Sequence, residues 1–143
     1  MFQNIVPLVP NWGLLILRIG LAVTFLVHGL PKLNSNSPMH GIAGFTGFLK
    51  QLHVPAPGFF AWVVALVETV GAVLFGFGLL SRIMALLLAI DMLVATFSKM
   101  GMHVPFVANQ TTGWELDMNM LLGSLLVLLA GPGMLSLDAL LGI

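Results

Sequence analysis

The chain contains no cysteine and very little charge. Without cysteine there can be no disulfide, thiol relay, persulfide carrier or thiolate metal site, and the redox state of the compartment leaves no trace. Charged residues make up 7% of the 143 positions, whereas soluble domains carry about 25%. Five basic and five acidic residues cancel, so no basic footprint points to nucleic acid. Neither a Gly-rich phosphate loop nor a Ser-His-Asp arrangement is present. The first apolar run has no basic leader and carries Arg18 within it, which predicts a retained anchor rather than a cleaved signal.

What fills the space is apolar. Hydrophobic residues reach 59%, too many for polar groups to cover in water. Length allows one domain, 1–143. Four apolar runs predict membrane spans at approximately 12–31, 58–77, 82–99 and 114–131, each near the length that crosses a ~30 Å hydrocarbon core. Pro31 closes the first and Gly131-Pro132-Gly133 the last. The second and third are joined so tightly that they form an antiparallel hairpin, with Ser81 as N-cap. Between the first two runs, Ile42, Phe45, Phe48, Leu49 and Leu52 recur at helical spacing. This predicts an amphipathic helix over 42–52, either interfacial or packed over the bundle end. Ser136 should cap a short terminal helix. The expected fold is an all-α membrane protein: a four-transmembrane-helix bundle with an interfacial amphipathic helix between helices 1 and 2. A prokaryotic plasma (inner) membrane, crossed several times, is the expected location.

Ionisable groups inside spans are costly, so each asks for a reason. Arg18, Glu68 and Asp91 are the buried polar positions. Glu68 lies on a stripe of small residues, Ala61, Ala65, Ala72 and Gly76, which predicts close approach to another helix. The plainest reading pairs Arg18 with Glu68 as structural glue and leaves Asp91 neutral or bonded to a neighbour; the alternative is a proton path. A second cluster gathers at one bundle end. Because helix direction alternates, His28, Lys32, Trp114, Glu115 and Asp117 share that side, with His40, His53 and His103 in its loops. Lys32 is expected to pair with Glu115. His28, Lys32, Glu115 and Trp114 could hold a quinone ring by its carbonyls, or form an interfacial anchor. No metal is expected: only His28 lies within a span, and Met100, Met102 and His103 are a weak ligand set.

These motifs have a family likeness. Arg18-Ile19-Gly20-Leu21-Ala22, His28-Gly29-Leu30-Pro31-Lys32, Val54-Pro55-Ala56-Pro57, Glu68-Thr69-Val70-Gly71-Ala72, Trp114-Glu115-Leu116 and the segment Gly131 to Leu141 resemble, in order, the DoxX family of small four-helix membrane proteins. The resemblance runs from about Leu14 to Leu141. Arg18, His28, Lys32, Glu68, Arg82 and Glu115 match its pattern; Asp91 and Asp117 do not. It implies a membrane subunit of an oxidoreductase system, among whose relatives are a thiosulfate:quinone oxidoreductase subunit and oxidant-defence assemblies. The alternative is a non-catalytic accessory subunit packed against a larger membrane complex. No intrinsic cofactor is implied; a quinone is the ligand to expect, and the bilayer and other membrane subunits are the expected partners.

Overall fold

The computed structural model describes residues 9–109 and 112–143. Every regular element among them is helical: α1 (Val9–Leu33), α2 (Gly41–Gln51), α3 (Pro57–Leu66), a π-helical turn (Val67–Gly71), α4 (Ala72–Phe77), α5 (Ser81–Gly101), α6 (Trp114–Ala130) and α7 (Leu137–Leu141). α3, the π turn and α4 run on as one helix, Pro57–Phe77. Among the described residues three helices are long and apolar enough to cross a membrane: Asn11–Leu33, Pro57–Phe77 and Ser81–Gly101. α6 is shorter, at 17 residues.

The molecule is apolar on its outside as well as within. Ile16, Val27, Phe77, Phe97 and Leu129 are all more than half exposed, a pattern that only lipid can solvate. Inside, Phe25, Ala72, Phe75, Ala85, Leu88, Met92, Met120 and Val127 form one continuous core joining α1, α4, α5 and α6. α2 folds over one end and buries Phe45 and Leu49 against Ala61 of α3, so the expected amphipathic helix over 42–52 is present at Gly41–Gln51.

Two expectations about chain punctuation are corrected. Pro31 does not end α1, which continues to Leu33. A proline in the final turn forfeits only one backbone bond, and Asn34 N–H still reaches Leu30 O at 3.2 Å. Lys32 lies in that extension and is buried. Ser81 does not cap α5 either. Leu80 occupies the N-cap position in the left-handed region, and the free amides of Leu80 and Ser81 donate to the Asp138 carboxylate at 2.7 and 2.8 Å. The cap comes from the far end of the sequence. Ser136 does cap α7, its hydroxyl accepting from Ala139 N–H at 3.1 Å. Met134 N–H donates to Asn11 Oδ1 at 2.8 Å, bringing the tail beside the start of α1.

Candidate functional site

Arg18 and Glu68 do not meet. Arg18 is fully buried and donates to Leu135 O, close to the turn at Gly78. A methyl group on Gly78 would lie 1.8 Å from Arg18 Nη1, so only glycine leaves room for the guanidinium there. Glu68 packs instead beside Gly29, eleven residues further along α1, or about 16 Å at 1.5 Å per residue. The small-residue stripe correctly turns Glu68 toward α1, but toward its other end. Arg18 therefore serves the tail. Burial, the largest influence on the Asp138 carboxyl, acts upward; bonds from Ser81 and Leu80 and the Arg18 charge outweigh it and hold the group below the usual carboxylate range.

Glu68 pairs with Lys32. Both are buried. The π turn that holds Glu68 adds a residue to one helical turn, a distortion that recurs at functional positions. Gly29 makes this possible: a Cβ there would stand 2.8 Å from Glu68 Cβ and 2.9 Å from its carbonyl. Lys32 Nζ also lies 4.9 Å from the centre of the Phe45 ring, a favourable placement for a desolvated cation.

The pair lines a chamber of about 280 Å³. His28, Lys32, Glu68, Asp91, Lys99 and Asp117 supply its ionisable groups. Phe45, Phe48, Leu49 and Leu52 cover it from α2 and the residue that follows. His28 Nδ1 donates to Thr24 O at 2.9 Å, the i−4 carbonyl of its own helix, so in the neutral ring Nε2 is the acceptor. Lys99 Nζ reaches Asp117 Oδ2 at 2.8 Å and Oδ1 at 3.0 Å, and bonds Thr112 Oγ1 and Gly113 O at 3.2 Å each. This second ion pair closes the α5–α6 hairpin across its loop.

Glu115 and Trp114 stand outside the chamber lining. The Lys32–Glu115 pair expected from the sequence is replaced by Lys32–Glu68, and Asp117 is the acid that α6 turns inward. Two residues along a helix is about 200° of rotation, so Glu115 and Asp117 cannot face the same way. Glu115 N–H donates to Phe106 O at 3.2 Å, and its side chain lies back over Gly113 at the start of α6, where the helix dipole favours an anion. Trp114 meets Phe106 edge to face, with centroids 4.5 Å apart. His40, His53 and His103 are exposed, all three at left-handed turn positions. Among the described residues no group of three or more His, Cys, Asp or Glu could hold a metal ion. A larger groove of about 520 Å³ on the outer face, between Leu15, Ile19, Val23, Phe77 and Leu135, has no ionisable group in its lining.

Sequence reasoning placed His28, Lys32 and Asp117 at this end and missed Glu68 and Asp91 as parts of the same chamber. The 3.6-residue period gave one usable signal, since Phe45, Phe48, Leu49 and Leu52 needed something to cover. Nothing in the local sequence announces the π turn.

Span-length apolar helices with a cluster of acids and bases between them define an integral membrane protein whose largely apolar pocket carries six ionisable groups. The chain belongs to the DoxX family, whose profile matches residues 13–101. It is 35% identical over 126 residues to "Putative oxidoreductase CatD" of Bacillus subtilis (strain 168), an alignment covering 88% of this chain and 84% of that protein. No solved structure matches it.

Proposed function

We propose that this protein is the membrane subunit of an oxidoreductase system and that its chamber receives a quinone ring. The family and the oxidoreductase name of a relative support the first half. The single observation that carries the second is the chamber itself, whose lining combines aromatic and aliphatic side chains with six ionisable groups. Its volume is near the lower end of ligand pockets, about 300 Å³, which suits one small ring better than a large cofactor.

A quinone bound there would supply two-electron chemistry that the chain's own side chains lack. Lys32 would donate a hydrogen bond to a ring carbonyl, and His28 Nε2 would accept one from the reduced ring's hydroxyl. Phe45 and Phe48 would exclude water and keep the ring flat against α2. Electrons would come from a partner subunit. In this reading all four long helices cross a prokaryotic plasma membrane and α2 lies at its surface. α6, at 17 residues, spans about 25 Å, a shortfall that local thinning accommodates at small cost.

The alternative, an accessory subunit without a ligand, is favoured by one feature: Lys32 and Glu68 already satisfy each other. Extraction of lipid-soluble compounds from natively purified protein separates the two readings. About one quinone per chain supports the site. Quinone at the level of the surrounding lipid, with a reproducible set of copurifying subunits, supports the accessory role.

A further inference from the structure

Asp91 has no cation of its own. Its carboxyl lines the same chamber as Glu68, near enough for the two charges to interact, and its Oδ2 is buried without a partner. An ionised carboxylate only accepts hydrogen bonds, so two of them cannot bond to each other, and at close range they repel. The groups facing this pair can be counted element by element. α1 brings Lys32 and His28, α5 brings Lys99 and α6 brings Asp117, while α2 and α3 bring no charge to the chamber. Lys99 is engaged by Asp117 and Lys32 by Glu68. Three carboxyl groups therefore face two ammonium groups, and one positive charge is missing. An uncompensated ion at mid-span of a membrane helix is costly.

We propose that Glu68 and Asp91 hold one proton in common, so that Asp91 is the proton-exchanging group of the chamber. The proton makes one carboxyl a donor to the other, closes the charge count and leaves Lys32 bonded to the ionised member. The same spacing of groups explains why an acid sits on α5 at mid-span although the neighbouring helix already has one: a lone Glu68 beside Lys32 is balanced and carries no exchangeable proton. The proton's use, delivery to or from a ring oxygen, rests on the quinone reading; the proton itself does not.

Infrared spectroscopy of the whole protein in lipid nanodiscs tests this without any ligand. At neutral pH the wild type is expected to show the carbonyl stretch of a protonated carboxyl, equivalent to one group per chain and shifted in D₂O. Asp91→Asn should abolish it, because Glu68 is then balanced by Lys32. Glu68→Gln should abolish it too, because Lys32 is then free to balance Asp91. Asp91→Glu, which keeps the carboxyl, should retain the band. The proposal is overturned if the wild type shows no such band, which is the result expected had the missing charge resided on His28. It is equally overturned if the band survives Asp91→Asn and is lost in Glu115→Gln, an acid outside the chamber that also has a buried unpartnered oxygen. Adding a short-chain ubiquinone then addresses the site separately. A band that is present but unmoved sustains the shared proton and counts against the ring.

Discussion

Gly29 lies so close to Glu68 that a methyl group in place of its hydrogen would stand 2.9 Å from the Glu68 carbonyl oxygen. The contact links a helix surface to a helix distortion: α1 offers a flat spot, and the π turn of the opposing helix fills it. Gly29→Ala gains some helix propensity but must push the π turn away. The expected net effect is destabilisation of about 1–3 kcal/mol, as for other overpacked interiors. Thermal unfolding in detergent checks it, and a melting temperature equal to or above the wild type's would show that the two backbones are not in contact.

Lys32 and Glu68 should be energetically coupled, and Arg18 should be coupled to neither. Lys32→Met strands a buried carboxylate and should cost roughly 3–5 kcal/mol, whereas Glu68→Met should cost less, because Lys32 is then free to balance Asp91. The double replacement should cost much less than their sum. Arg18→Met combined with Glu68→Met should be additive to within about 0.5 kcal/mol, the usual behaviour of distant sites. A double-mutant cycle on unfolding in mild denaturant reads both. Strong Arg18–Glu68 coupling would contradict the placement of Arg18 at the tail.

Asp138 is expected to matter more than a residue of so short a helix usually does. It caps α5 through two amides, so Asp138→Ala should cost about 1 kcal/mol, up to ~2. Its folded-state value lies below the ordinary one, so the unfolded chain binds the proton more readily. The charge-dependent part of its contribution is full above the unfolded value of about 3.9 and is lost as the pH falls through the folded one. Melting temperature against pH should therefore fall less steeply below about pH 4 in Asp138→Asn than in the wild type. Parallel curves would remove Asp138 from the cap.

Much of this was legible in the sequence, for definite reasons. Long apolar runs and the 3.6-residue period of Phe45, Phe48, Leu49 and Leu52 report local structure, and the helices they predict are present. The stripe through Ala61, Ala65, Glu68 and Ala72 reported which face is buried. It could not report which basic residue waits opposite, because that depends on how far one helix slides along another. Arg18 and Lys32 share a side of α1 yet lie fourteen residues apart, and composition does not choose between them. Helix rotation hid the exchange of Glu115 for Asp117, and the Asp138 cap joins residues 57 and 58 positions apart. Such contacts belong to tertiary structure alone.

The chamber is the proposed place where a ring binds. Photoaffinity labelling with an azido-quinone, followed by peptide mapping of the nanodisc-embedded protein, tests this most directly. The expected adducts fall on chamber-lining residues of α2 and α5 and on the residue that follows α5, such as Phe48, Met92 and Met102, and decline when unlabelled quinone competes. Replacing Lys32 by Met while retaining a folded protein should reduce them. Adducts confined to the outer groove at Leu15, Val23 and Phe77, or spread without competition over the lipid-facing surface, would contradict the account.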